Sequence, residues 1–262
     1  MTTIVGRVAA LNRYPVKSMQ GEQPDQVTFD ASGMVGDRRW AVLAASGEVV
    51  LSAKRVKPLL DAAATNDGTD DGRPTITLPD GRVIEPGDPD TDAILSAWLG
   101  RDVRLGRADA TGGIPYEMSF NVDDETDAVF AVPTPPHRFV DLCQIHLLTT
   151  ASIATMAAAH PDGAWDPHRF RPGVLIETDP SITGLVESTW TEAPVTIGGI
   201  TVTPVMPTIR CVMTTRAQSV HGLERDLDIV KTVNATNDGN LGLYGSIAAT
   251  GAVRIGDPVS IG

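Results

Sequence analysis

A cysteine and a handful of cations are the residues of this chain best suited to chemistry. The cysteine is Cys211, in TIRCVMTT at 208–215, one of only two among 262 residues. It follows Arg210, precedes Thr214 and Thr215, and comes shortly after Pro204 and Pro207, unlike an inert cysteine hidden among aliphatic residues. A thiolate ligand or nucleophile needs positive charge or a metal to lower its pKa from about 8.5. Arg210 is adjacent, but successive strand residues face opposite ways, so adjacency alone does not bring its charge to the sulfur. Structural thiol and functional thiolate both stay open. The other cysteine, Cys143, starts a Cys-x-x-His run ending at His146; that spacing suits zinc, yet no second ligand pair follows it.

The cations are Lys17, Arg38, Arg39, Arg169, Arg171 and Arg210, which fall in the four short strand–turn stretches YPVKS, GDRRW, HRFRPG and TIRC. Converging loops near strand ends would make of them a pocket for a phosphate or another anion. Paired arginines on exposed strand ends are the plainer alternative. No Walker, GxSxG, HExxH or kinase motif is present, and Gly242-Leu-Tyr-Gly245 is too short for a nucleotide fingerprint. The acidic runs at 66–74 and 121–127 lack EF-hand spacing and its closing glutamate, so they read as solvated loops.

A formal net charge of −12 argues against diffuse nucleic-acid binding, because phosphates are repelled overall. Arg7 and Arg13 break up the apolar residues near the N-terminus, and no stretch approaches the roughly 18 apolar residues of a membrane span. Two cysteines supply neither a disulfide framework nor the four thiolates of a plant-type iron–sulfur cluster. The chain therefore reads as cytoplasmic and bacterial, without membrane association and without an iron–sulfur centre of its own.

The elements that must position these residues are mostly strands. GRVAALNRYPV, QVTFD, RRWAVLAA and VVLSA are short β-rich runs, and Asp80-Gly81 predicts a hairpin turn between PTITL and RVIEP. PDTDAILSAWLG predicts a helix capped by Asp90 or Asp92, with Ile94, Leu95 and Leu99 as its apolar stripe and Gly100 at its end. Residues 108–138 read as an irregular segment, either a connection between the halves or a long loop over a site. A buried strand then runs into a helix capped by Thr149 or Thr150 and stopped by Pro161. HGLERDLDIVKTVN predicts a further helix, with acids early and Lys231 late. The expected fold is mainly β with α, an α+β arrangement of two β-barrel-like halves with a few helices. The expected organisation is a first barrel-like domain over 1–107, a connection over 108–138 and a second domain over 139–262.

YPVKSMQG at 14–21, GDRRWAVL at 36–43, RFRPGVLIE at 169–177, RCVMTT at 210–215 and GDPVSI at 256–261 together resemble a MOSC-domain protein that carries a MOSC N-terminal β-barrel. The similarity extends to the mitochondrial amidoxime-reducing components and their bacterial counterparts, and it covers almost the whole chain. It implies a molybdenum cofactor, a pyranopterin whose dithiolene sulfurs bind molybdenum, with Cys211 as the protein's ligand to the metal and its catalytic residue. A soft thiolate suits a metal already held by sulfur. It also implies cofactor contacts from Lys17, Ser18, Arg38, Arg171 and Arg210, more loosely from Asp141 and Cys143, and from Tyr244. Gly173 stands where relatives carry asparagine, and Arg39 where an aromatic residue is common. The mitochondrial members' anchor and the ferredoxin-like domain of some bacterial relatives are not expected here.

The activity so implied is reduction of small N-hydroxylated compounds such as amidoximes, hydroxylamines or N-hydroxylated bases. Electrons would come from a separate flavoprotein or an iron–sulfur or haem protein. The alternatives are a carrier that binds cofactor or sulfur without turnover, and a β-barrel interaction module with a vestigial site.

Overall fold

The computed structural model describes residues 2–69, 72–118 and 130–262. Two compact units emerge, and they are not consecutive in sequence: one comprises 1–12, 23–35 and 143–262, the other 13–22 and 36–142. Among the described residues there are three α-helices, α1 (Thr91–Leu99), α2 (Thr150–Ala159) and α3 (Asp228–Asn237).

The first unit is built on a closed barrel of seven strands: β1 (Thr3–Leu11), β2 (Ile145–Thr149), β3 (Val174–Thr178), β4 (Val195–Ile197), β5 (Ile200–Ile209), β6 (Asn240–Ala249) and β7 (Pro258–Ile261). Around the barrel the order is β1-β3-β2-β6-β5-β4-β7. Only β2 and β3 run parallel, as a connection through a helix requires, and α2 is that connection. Thr149 caps α2 as expected, its hydroxyl accepting from the Ser152 amide at 3.1 Å. Strand β1 pairs with β3 on one side and β7 on the other, which is why the first twelve residues belong with the C-terminal ones.

Alternating apolar residues fill the barrel, among them Val8, Leu11, Ile176, Val195, Val202 and Leu243. Val27, Phe29, Met34 and Val253, from a small sheet of Gln26–Asp30, Gly33–Met34 and Gly251–Arg254, join the same core. A second cluster, including Leu148, Met156, Phe170, Ile229 and Val233, seats α2 and α3. The third predicted helix is shorter than HGLERDLDIVKTVN suggests, because Gly222 at φ +66° closes a turn and HGLER stays outside α3.

The second unit carries shorter sheets. Trp40–Ala44 pairs with Val103–Arg107, and Ala63–Thr65, Thr75–Thr77 and Val83–Ile84 form a three-stranded meander. Its hairpin turn is at Asp80-Gly81 as predicted, with Gly81 at φ +84°. Helix α1 ends at Gly100 in the left-handed region, as predicted, but of its apolar stripe only Leu95 is buried, and Asp90 occupies the N-cap position without a side-chain bond. The reading of 108–138 as irregular is corrected where it can be compared: Pro115–Met118 and Phe130–Pro133 pair as antiparallel strands. Their prolines, with the glycines and acids around them, obscure the β pattern. The acidic run at 121–127 lies outside the described residues, as do Asp70 and Asp71 of the run at 66–74.

The mixed β-with-α class read from the sequence is the class observed, and one of the two units is built on a closed seven-stranded barrel. No helix among the described residues is long and apolar enough to cross a membrane.

Candidate functional site

Cys211 lies just past the end of β5, where the strand gives way to a 3-10 turn at Val212–Thr215. Its backbone is still extended, and its side chain is only partly buried. The turn closes on its carbonyl, which accepts from the Thr214 amide at 3.1 Å and the Thr214 hydroxyl at 3.0 Å. The Thr215 hydroxyl donates to the Val212 carbonyl at 2.8 Å. Both threonine hydroxyls therefore serve the turn that holds the cysteine in place.

Arg210 reaches across to the FRPG stretch. Its guanidinium donates to the Phe170 carbonyl at 2.8 Å and lies over the Phe170 ring, 5.6 Å from the centroid. It also approaches His146 Nε2 at 3.4 Å, and His146 packs edge-on against Tyr244 with ring centroids 5.6 Å apart. A guanidinium can only donate, so that imidazole nitrogen is the acceptor. Gly242 leaves room for this contact: its φ is +95°, and a Cβ there would come within 2.2 Å of His146 Nε2. The two glycines of GLYG thus serve packing, since a Cβ on Gly245 would meet Val202 at 2.3 Å.

Arg171 follows Phe170 and holds φ +53°, a left-handed conformation that is costly for a residue with a Cβ. Among the described residues five non-glycines have positive φ: Ser18, Arg38, His137, Arg171 and Asp238. Three of the five, Ser18, Arg38 and Arg171, are residues for which the family resemblance implies cofactor contacts, and such strain gathers at functional loops. In the same FRPG stretch Gly173 donates its amide to the His146 carbonyl at 2.9 Å, and the buried Asn12 side chain donates to the Pro172 carbonyl at 3.0 Å.

Arg169 is the residue of this unit whose role sequence reasoning did not isolate. It is buried, and its guanidinium donates to the carbonyls of Ala164, Arg216 and Glu224 at 2.8, 3.2 and 2.8 Å, with a longer approach of 3.4 Å to Thr214. It pins the segment after Cys211 to the start of the FRPG stretch. Adjacent His168 stacks on His221 of that segment, ring centroids 3.8 Å apart, and its Nδ1 faces Asp166 at 2.7 Å. Cys143 is half-buried, and burial pushes its thiol pKa up, which leaves it a poor thiolate donor.

In the other unit Lys17 is buried and donates to the Phe139 carbonyl at 2.9 Å. It also pairs with one oxygen of Asp141, while Lys54 holds the other oxygen at 2.8 Å. Both ammonium groups lie over the Tyr116 ring, 4.6 and 4.8 Å from its centroid. Burial lowers the Lys17 pKa, with the charges of Lys54 and Arg38 adding to it against the pull of Asp141. Burial works against the charge of Asp141 too, yet Lys17 and Lys54 together hold its carboxyl well below the usual carboxylate range.

Arg38, at φ +48°, donates to Asp37 at 2.5 Å and lies over the Tyr14 ring. Asp37 also accepts the Tyr14 amide at 2.7 Å, and its own carbonyl accepts from buried Arg138 at 2.9 Å. Ser18, at φ +70°, accepts the Ala53 amide on its hydroxyl at 3.0 Å. Arg39 is buried and donates to the His137 carbonyl, so it serves the fold of this unit. Of the residues marked in the sequence, Lys17 and Asp141 are in contact here, and Arg38 is within electrostatic reach of both.

These stretches coincide with known domain types. Residues 134–260 match the model of the MOSC domain, and residues 5–88 match that of the MOSC N-terminal beta barrel domain. Human mitochondrial amidoxime reducing component 2 is 24% identical over 289 aligned residues, spanning 97% of this chain and 83% of the relative. The crystal structure of the YuaD protein from Bacillus subtilis superposes with a TM-score of 0.50 at 13% identity, over 100% of this chain and 96% of that one, a likeness of fold alone. The chain belongs to the MOSC-domain family and carries the MOSC N-terminal beta barrel domain together with the MOSC domain.

Proposed function

We propose that this protein is a molybdenum-cofactor-dependent reductase that removes oxygen from small N-hydroxylated substrates, with electrons delivered by a separate flavoprotein or iron–sulfur or haem protein. The observation that carries this reading is Cys211: a partly exposed thiol at a strand end, its carbonyl held by Thr214, its preceding arginine locked onto the FRPG stretch. The relationship to an amidoxime reducing component over nearly the whole chain supports it.

The residues present suit such a cofactor chemically. Cys211 offers a soft sulfur donor, and coordination removes the thiol proton. Lys17, Ser18 and Arg38 offer the cations and hydroxyl that a terminal phosphate needs, and Arg171 and Arg210 offer further guanidinium charge. Asp141, Cys143 and Tyr244 are the remaining proposed contacts. When bound, the cofactor would supply the two-electron oxygen-transfer chemistry.

In the overall reaction the substrate N–O bond breaks, two electrons and two protons enter, and the oxygen leaves as water. The substrate is reduced and the donor protein is oxidised. The chain's own part is to hold the cofactor. Arg210 and Arg169 fix the backbone on either side of Cys211.

The test is turnover. Protein from a cofactor-producing host, supplied with a chemical reductant or a donor pair, is given an aryl amidoxime, and amidine is measured. Amidine from the wild type and none from Cys211→Ala is the expected result. Metal-loaded protein that forms no amidine or amine from any N-hydroxylated class would overturn the reductase reading and leave a carrier.

A further inference from the structure

Between Thr215 and α3 the chain forms a flap over residues 217–223. One side chain clamps its base: the Arg169 guanidinium donates to the Arg216 carbonyl at 3.2 Å and to the Glu224 carbonyl at 2.8 Å. Gln218 and Leu223 bond across it, the Gln218 amide donating at 2.8 Å and the Leu223 amide at 3.1 Å. The tip is a 3-10 turn at Ser219–His221, which Gly222 closes at φ +66°. There the His221 ring lies on the His168 ring, centroids 3.8 Å apart and planes 21° from parallel. The tip is thus stacked on the stretch that carries Arg171.

Hydrogen bonds fix which nitrogen of His168 carries its proton. The Pro172 carbonyl can only accept, so Asn12 turns its amide nitrogen to it at 3.0 Å and its oxygen to Gln23. Gln23 donates to that oxygen at 2.9 Å, and the same amide nitrogen lies 3.4 Å from His168 Nε2. His168 Nε2 is therefore the acceptor, and Nδ1–H donates to Asp166 at 2.7 Å. A ring bonded in this way is neutral. A proton added at Nε2 would set donor against donor.

His221 resists a proton for a different reason. Burial lowers its pKa, and the charges of His168 and Arg171 add to this against the pull of Asp166. Those three are the ionisable groups that face it among the described residues. Two imidazolium rings at this separation repel, so the stack holds while the rings are neutral and loosens once both are charged.

We propose that His168 and His221 form a proton-released latch that holds the 217–223 flap closed against the stretch carrying Arg171. The clamped base keeps the opening local: the tip leaves while Arg169 retains Arg216 and Glu224. The latch is fully closed above the ordinary histidine value of about 6.5 and is released as pH falls through the lowered folded value of His221. Its bearing on a cofactor rests on the function proposed above, in which Arg171 is a contact; there, release of the latch loosens the hold on the cofactor.

The first test is an NMR titration of the histidines in the full chain, with the His221 signal assigned by its loss in His221→Phe. His221 is expected to titrate below about 6.5 in the wild type. The second is hydrogen exchange of residues 217–223 in wild type and His221→Phe, a variant that keeps a ring to stack and cannot ionise. The two are expected to exchange alike at about pH 7.5, whereas at about pH 5 the wild type exchanges about tenfold faster. Strand β6, read in the same samples, is expected to exchange alike in both, which separates release of the flap from loss of fold. Equal exchange of the flap at about pH 5, or a His221 that titrates at or above about 6.5, would each overturn the latch. The wild-type titration still decides the matter if the variant does not fold.

The third measurement reads the regulation separately: molybdenum retained on dialysis at about pH 5 by protein from a cofactor-producing host. Faster loss from wild type than from His221→Phe is expected. Equal loss alongside the stated exchange pattern overturns the regulation and keeps the latch. A metal-free wild type with that pattern sinks the cofactor reading and likewise keeps the latch.

Discussion

The guanidinium of Arg210 donates to the carbonyl of Phe170 at 2.8 Å and covers its ring, joining the residue before Cys211 to the residue before Arg171. One side chain thereby fixes two stretches that are 40 residues apart. Arg210→Lys keeps the charge and loses the planar fork. We predict a drop of about 1–2 kcal/mol in unfolding free energy and lower molybdenum content with Cys211 intact. Denaturant midpoints and elemental analysis check both.

Arg169 makes a stronger prediction on stability. Arg169→Met leaves the carbonyls of Ala164, Arg216 and Glu224 without their donor in a buried setting. A loss of about 3 kcal/mol or more is expected. Hydrogen exchange should quicken first in the segment after Cys211, and uniform exchange across the barrel would count against the pinning role.

Backbone strain separates function from fold. Asp238 holds φ +48° at the C-cap of α3, a position that glycine fills more easily. Asp238→Gly should raise stability by about 0.5 kcal/mol and leave cofactor content unchanged. Arg38→Gly and Arg171→Gly relax equally strained backbones, at φ +48° and +53°, yet should lower cofactor content. Equal metal in all three variants would detach the strain from the site.

Glu187 gives a pH dependence. It is fully buried in the barrel unit; one oxygen accepts from Thr149 and Ser152 at 2.6 and 2.5 Å, and the other has no partner among the described residues. Burial raises its pKa, and the two hydroxyls oppose the rise. The folded protein therefore binds this proton more tightly than the unfolded chain does. The contribution to stability is full below the unfolded value of about 4.3 and is lost as pH rises through the folded value. Glu187→Gln removes the cost of ionisation, so it should be more stable than wild type at neutral pH, with the gap closing toward pH 4. A gap independent of pH would mean that the carboxyl does not titrate as described.

Much of this was legible because it is local. Thr149 before an apolar run reads as a cap, Asp80-Gly81 as a hairpin turn and Gly100 as a helix end, and each is so. The pairing of β1 with β3 and β7 was not legible, because it joins residues about 170 and 250 positions apart that no local pattern relates. The same holds within the site. Lys17 and Arg38 stand in recognisable stretches, whereas Lys54 gains meaning only through Asp141, 87 residues away. Arg169 and Arg171 look alike in HRFRPG, and only burial shows that the first serves backbone carbonyls. TIRCVMTT shows Thr214 near Cys211 without saying what its hydroxyl bonds, and it goes to the Cys211 carbonyl.

The central claim is that Cys211 holds molybdenum. Its most direct test is molybdenum per chain by elemental analysis, on wild type and Cys211→Ala purified from a cofactor-producing host. The account predicts near-stoichiometric metal in the wild type and its loss in the variant. No metal in either, or equal metal in both, would contradict it.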